Sequence, residues 1–193
     1  RKQVPDFPML SVRELVANAL IHQDFTVHGC PIISIFPNRI EITNPGTPLV
    51  KLERFIDTPP CSRNEALASA MRRAGICEER GSGYDKVVTY VEQYNLPAPK
   101  VTVYDNQTKV ELSSKKPFEA LTKEERVLAC YNHTCLNYVR GQITNNNSLR
   151  LRFQLSEDER YKISRVFSDT SKYVVPKEGT GAKNREYLPF WAE

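Results

Sequence analysis

The stretch from Ser11 to Phe25, SVRELVANALIHQDF, carries two stripes along a single helix. Val12, Leu15, Val16, Ala19 and Leu20 recur at helical spacing and predict a face buried in a core. Glu14, Asn18 and His22 stand four residues apart. At about 100° per residue they line up as a second, polar stripe beside the first. A surface helix has no use for a carboxylate, a carboxamide and an imidazole in register next to its buried face. A ligand site has: a carboxylate can orient water, and a carboxamide oxygen can hold a hard cation between phosphates. Ser11-x-x-Glu14 also reads as a capping box, with Glu14 reaching back to the start of the helix.

At 193 residues the chain can hold one large domain or two small ones. Its 40% hydrophobic and 26% charged content is that of a soluble globular protein. No apolar run is long enough to span a membrane, so no membrane partner is expected. The start Arg1-Lys2-Gln3, with neither methionine nor an apolar signal region, reads as part of a longer cytoplasmic protein. The five cysteines form no CxxC and are expected as reduced thiols. Cys130, His133 and Cys135 fall on one predicted helix with no second ligand pair, which argues against structural zinc. Residues 1–115 carry 14 basic and 13 acidic side chains, whereas Arg140–Arg185 carries 10 basic against 5 acidic. Any polyanion is therefore expected to bind the C-terminal part.

After the first helix, Ile32–Phe36 and Ile40–Thr43 read as a hairpin turned by Pro37-Asn38-Arg39 and stopped at Asn44-Pro45-Gly46-Thr47-Pro48. Helices are expected from Asn64 to Ala74 and from Tyr84 to Tyr94, then a hairpin of Lys100–Tyr104 and Lys109–Leu112. This order predicts an α+β layer, an antiparallel sheet with helices on one face. Ser113-Ser114-Lys115-Lys116-Pro117 is the linker candidate, giving domains 1–114 and 118–193. Beyond it, capping boxes at Thr122-x-x-Glu125 and Ser156-x-x-Glu159 open two helices, with a short one at Leu149–Phe153 between them. The first of these should turn Val127, Leu128, Tyr131, Cys135 and Val139 inward. Two β-like stretches, Tyr173–Val175 and Glu186–Phe190, follow around a glycine-lysine loop. Three helices and a hairpin predict a winged helix.

Several motifs recur in one order: Glu14-x-x-x-Asn18-Ala19-x-x-His22-x-Asp24, Ile40-Glu41-Ile42-x-Asn44-Pro45-Gly46, and Glu78-Glu79-Arg80-Gly81-Ser82-Gly83. The second half adds Cys130-Tyr131-x-His133-x-Cys135-Leu136, Thr144-Asn145-x-x-Ser148-Leu149-Arg150-x-Arg152-Phe153 and Pro189-Phe190-Trp191-Ala192. Over nearly its whole length the chain resembles a bacterial family labelled RecG-related helicase or transcriptional regulator. That family has a divergent GHKL-type ATPase domain, a two-layer α/β sandwich, followed by a winged helix, and a Schlafen AlbA-type domain commonly precedes it. The resemblance implies ATP and Mg²⁺ as ligands, with Asn18 on the metal and Glu14 as the catalytic group orienting water. His22 and Asp24 would complete the nucleotide-binding stripe. Asn44 and Gly46 would stand where related ATPases place an Asp-x-Gly that reads the adenine amino group. Gly81, Ser82 and Gly83 would bring backbone amides to phosphate at the start of the Tyr84 helix. Two departures are visible: Asn44 replaces the adenine-reading carboxylate, and Gly46-Thr47-Pro48 replaces a Gly-Gly.

No Gly-x-x-x-x-Gly-Lys-Ser/Thr loop exists in the sequence, so no helicase motor is expected. For duplex DNA the candidates are Arg160, Lys162 and Arg165 on the helix after Ser156, with Lys177, Lys183 and Arg185 in the wing and Arg150 and Arg152 before it. Glu157, Asp158 and Glu159 at that helix start would repel phosphate and favour a dimerising winged helix instead. The reading that joins both halves is a nucleotide-responsive DNA-binding regulator. Its alternatives are a Mg²⁺-dependent ATPase with Glu14 as base, and a non-catalytic scaffold that forms a homodimer through the winged helix.

Overall fold

The computed structural model describes residues 7–59, 61–77, 83–181 and 185–192. The chain divides into two compact units, Arg1–Lys115 and Lys116–Glu193. It is mixed α+β, with two antiparallel sheets and six α-helices among the described residues.

In the first unit, α1 (Met9–Ile21) leads into strands β1 (Ile32–Phe36) and β2 (Arg39–Pro45), followed by α2 (Glu65–Arg73), α3 (Gly83–Gln93), β3 (Lys100–Tyr104) and β4 (Gln107–Ser113). The strands pair in the order β1-β2-β4-β3, so the first hairpin joins the second through β2 and β4. That register sets Ile40 opposite Leu112, Ile42 opposite Val110 and Asn44 opposite Thr108. Facing residues across an antiparallel pair share one side of the sheet. Leu15 and Ala19 of α1 and Val87 and Val91 of α3 pack onto that side against Ile40, Ile42 and Leu112. The alternate residues of β2 and β4 turn the other way, where Glu41 takes Arg39 at 2.7 Å and Lys109 at 3.6 Å. A second cluster joins Ala17 and Ile21 of α1 to Ala68 and Met71 of α2. Edge strand β1 is mostly exposed and is bracketed by Pro31 and Pro37.

The predicted capping box on α1 does not form. The helix starts earlier, at Met9 after Pro8, which puts Ser11 inside it. There the Ser11 hydroxyl donates to the Val87 carbonyl at 3.3 Å and ties α1 to α3. Strand β2 also runs on through Asn44 and Pro45, two residues further than the proline signal suggests, because β4 pairs with it that far.

The second unit is α4 (Lys123–Val139), β5 (Thr144–Asn145), α5 (Asn146–Arg152), α6 (Arg160–Asp169), β6 (Val174–Pro176) and β7 (Glu186–Pro189), with sheet order β5-β7-β6. Thr122 and Glu125 form the capping box of α4. Ser156 and Glu159 form another around a 3-10 turn that precedes α6. A third, Asn145 with Ser148, opens α5 three residues before the expected start. Leu149, Ile163, Val166, Phe167 and Val174 are buried, and Phe167 stacks on Tyr187 with ring centroids 3.7 Å apart. Val139, expected inward, is 46% exposed because it lies in the last turn of α4, next to the chain reversal at Gly141. Cys130 is buried, which pushes its thiol pKa up to about 12. His133 Nε2 meets Ser148 Oγ at 3.2 Å and Asn137 Nδ2 at 3.1 Å, a polar contact between α4 and α5.

Candidate functional site

A cavity of about 220 Å³ opens in the first unit, walled by α1, the inner ends of β2 and β4, the segment after β2 and the start of α3. Glu14, Asn18 and His22 all line it, together with Asn44, Thr108 and Gly83. The polar stripe of α1 thus faces a cavity, while Val12, Leu15, Val16 and Ala19 of the apolar stripe pack against the sheet and Leu20, expected with them, is 38% exposed. Pro48, Leu49, Val50 and Phe55 give the cavity an apolar side, and Phe55 meets Tyr84 edge-on at 5.3 Å. A planar apolar ring with polar edges suits such a lining.

Glu14 is only 5% exposed. Its carboxylate packs against Gly83, the first residue of α3: a Cβ built there would collide with Glu14 Oε1 and stand 3.2 Å from Cδ. The same Cβ would lie 3.5 Å from the Asn18 carboxamide. The glycine is therefore required by close approach, with the Glu14 carboxylate oxygen and the Asn18 Nδ2 against a bare helix start. Carboxylate and carboxamide oxygens are hard donors of the kind Mg²⁺ takes. No group of three or more His, Cys, Asp or Glu that could hold a metal exists among the described residues. Mg²⁺ needs none, because it commonly uses one or two protein oxygens and completes its shell with phosphate and water. The residues present fit that metal in the company of a phosphate ligand.

At the sheet end, Asn44 is buried and its Nδ2 donates to the Pro45 carbonyl at 3.2 Å. Thr108 donates its hydroxyl to the Gly46 carbonyl at 2.7 Å. One Asn44 N–H and the Thr108 O–H are thereby engaged, so this end of the cavity keeps the acceptor oxygens of both side chains and the second Asn44 N–H. Gly46 itself does not line the cavity. It has φ +103° and sits so close to Asp24 that a Cβ would fall 2.7 Å from the Asp24 Cβ. Asp24 is likewise outside the lining. Its Oδ1 accepts from the Thr26 hydroxyl at 2.6 Å and the Thr26 amide at 2.9 Å, and its Oδ2 meets Arg63 at 3.3 Å. The Thr26 hydroxyl is the main reason its pKa lies below the usual carboxylate value. Asp24 and Gly46 thus shape the wall behind the cavity. His22 has its pKa lowered by burial first and by the nearby Arg63 second, which keeps the ring towards the neutral form. Gly81 and Ser82 lie outside the described residues.

Thr108, Arg63 and Arg72 escaped the sequence reading. Thr108 becomes visible only once β4 is paired with β2, and no local pattern announces that pairing. Arg63 donates to the His22 carbonyl at 3.2 Å and the Thr47 carbonyl at 2.7 Å as well as to Asp24. Arg72 lines the cavity and is held by Glu65 at 2.9 Å.

The cations expected to face DNA do not form one set. Arg152 is buried, its guanidinium 5.4 Å from the centre of the Phe153 ring, so it serves the core and faces no groove. Arg150 spans the turn after α5, donating to Leu155 O at 3.1 Å and Asn147 Oδ1 at 2.7 Å. Lys162 is clasped by Glu119 and Glu159, both at 2.6 Å, which raises its pKa and lowers that of Glu159 to about 2. Lys177 pairs with Glu186 at 2.9 Å. Arg160, Arg165 and Arg185 are exposed. Lys183 lies outside the described residues. On α6, Tyr161 is exposed beside Arg160 and Arg165 and was not singled out from the sequence.

Residues 29–112 match a family described as "Putative ATP-dependent DNA helicase recG C-terminal". The match supports a RecG-related ATPase-like domain; it holds β1–β4, α2 and α3 and begins after α1. The DIP2311 protein from Corynebacterium diphtheriae, a solved structure, aligns at 18% identity and a TM-score of 0.57 over 97% of this chain and 36% of that one. The chain thus spans about a third of that structure's length, and the likeness shows a shared fold. A comparison with curated proteins returns no match. No described helix is long and apolar enough to cross a membrane.

Proposed function

We propose that the first unit is a GHKL-type ATP-binding domain and the second a winged helix that binds duplex DNA, together a cytoplasmic bacterial nucleotide-responsive transcription regulator. One observation carries the nucleotide reading: Glu14, Asn18 and His22 of α1, Asn44 and Thr108 of the sheet, and Gly83 of α3 line one cavity. In this reading Asn18 takes the metal, Asn44 accepts from an exocyclic amino group, and the start of α3 faces phosphate. The family match is consistent with it, since that family is described as ATP-dependent. Calorimetric titration with Mg²⁺-ATP is its test. Binding that weakens on Asn18→Ala supports the reading, and absence of binding by the wild-type chain refutes it.

A second reading, a Mg²⁺-dependent ATPase, is favoured by the buried carboxylate beside Asn18. If Glu14 is the base, Glu14→Gln abolishes turnover and leaves binding intact. For the winged helix, the exposed Arg160, Arg165 and Tyr161 on α6 support a groove-facing helix. Loss of salt-dependent duplex binding in Arg160→Ala/Arg165→Ala is the expected result; unchanged binding removes α6 from the interface.

A further inference from the structure

We propose that edge strand β1 pairs with β1 of a second copy of this chain, antiparallel about a two-fold axis through Ser34. An exposed sheet edge is a template for another strand, and proteins guard it with charge, proline or a cover. The opposite edge, β3, opens on Lys100, whereas β1 reads Ile-Ile-Ser-Ile-Phe and carries no charge. Its guards are Pro31 and Pro37, and they stand only at its ends.

The ladder shows which backbone groups are left open. The Asn38 carbonyl accepts from the Ser114 amide and the Gly46 amide donates to the Asn106 carbonyl, so even-numbered residues of β2 turn their backbone groups to β4. The odd ones, Arg39, Glu41 and Thr43, therefore turn theirs to β1, where their partners are Phe36, Ser34 and Ile32. In such an alternating ladder the N–H and C=O groups of Ile33 and Ile35 point out from the sheet edge. A two-fold at Ser34 sets Ile33 of one copy opposite Ile35 of the other and satisfies all of these groups. Centring on Ile33 or Ile35 instead sets a proline, which has no N–H, against an isoleucine carbonyl. The prolines thus admit one fully bonded register, and it is self-complementary.

The side chains agree. Ile33 and Ile35 share the helix side of the sheet with Ile42 and Ile40, yet are 48% and 78% exposed, so neither α1 nor α3 covers them. Helix α1 packs on β2, and Ser11 ties it to α3. Met9 and Leu20, both exposed, fall on the flank of α1 opposite Ser11, which looks over β1. On the other side of the strand, exposed Ile32 would oppose exposed Phe36 of the second copy, an aromatic and β-branched pair. Covering these six side chains removes on the order of 600 Å² from each copy, about the lower end of what a stable pair buries. The same patch serves both copies, as a two-fold interface requires.

Sedimentation equilibrium of the full chain tests this. The wild type should form a dimer with a micromolar Kd, and Ile35→Lys should weaken it by about tenfold or more. Ile35→Pro removes an outward N–H, leaves the bonds to β2 in place, and should weaken the dimer as well. Ser34→Cys reads the register in a Cys30→Ser/Cys61→Ser background, which removes the exposed thiols. Facing residues at the two-fold have Cα atoms about 4.5 Å apart, within disulfide reach, so diamide should link Ser34→Cys into dimers and leave Ile32→Cys unlinked. A wild type that stays monomeric at ~100 µM overturns the proposal, whether the edge then takes a strand of another protein or none. A dimer unchanged by both Ile35 substitutions also overturns it and moves the contact to another surface, the second unit included. If circular dichroism shows the Ile35 variants unfolded, failure of Ser34→Cys to link, or equal linking of Ile32→Cys, overturns it.

Discussion

Arg63 gathers three acceptors from separate parts of the chain: the end of α1 at His22, the Asp24 carboxylate, and Thr47 after β2. It positions the wall of the cavity without entering it. Arg63→Met should therefore lower the melting temperature and weaken Mg²⁺-ATP binding several-fold, while Arg63→Lys, which cannot serve three acceptors in fork geometry, recovers little. Differential scanning fluorimetry and calorimetry on both variants check this. His22 supplies a pH signature. Its pKa in the folded chain is below the ordinary 6.5, so the unfolded chain takes up the proton first as pH falls. Stability is then full above pH 6.5 and declines as pH drops below it, and His22→Gln should flatten that decline in denaturant titrations across the acid range.

At the scale of elements, α1 and α3 meet where Glu14 touches Gly83. Gly83→Ala forces the carboxylate or the helix start to move, at a cost of about 1–3 kcal/mol typical of overpacking. Glu14→Ala opens space for that methyl group, so the double variant should be less destabilised than the sum of the two single ones. A strictly additive result in chemical denaturation would separate the two residues. The helical spacing of α1 and both hairpins were legible because each is a local pattern. The start of α1 was not: Ser11 and Glu14 match a capping box in spacing, but both are drawn away by α3, one to Val87 and the other to Gly83. Such contacts depend on which helix packs alongside, which no local window contains.

At the scale of the whole molecule, the charge imbalance of the C-terminal part was legible, yet its use was not. The sequence offers eight cations as one DNA-facing set, seven of them among the described residues, but Lys162 and Lys177 spend their charge on Glu119, Glu159 and Glu186, and Arg152 is buried. Counting residues overlooks ion pairs formed across the fold. Lys162→Ala should consequently lower the stability of the second unit and change duplex affinity little, whereas Arg165→Ala should reduce affinity and the salt slope together, by about one unit of slope. Gel-shift titrations at several salt concentrations distinguish the two. In the first unit the polar stripe of α1 was legible, while Thr108 and Arg63 came into view only through the pairing of β2 with β4 and the fold of the following segment.

The central claim is that the α1 stripe, Asn44 and Gly83 belong to one nucleotide site. Crystals grown with Mg²⁺ and a non-hydrolysable ATP analogue test it most directly. The account predicts the metal on Asn18, the adenine amino group at Asn44, and the phosphates at the start of α3. A nucleotide bound elsewhere, or seated in the cavity with its metal away from Asn18, would contradict it.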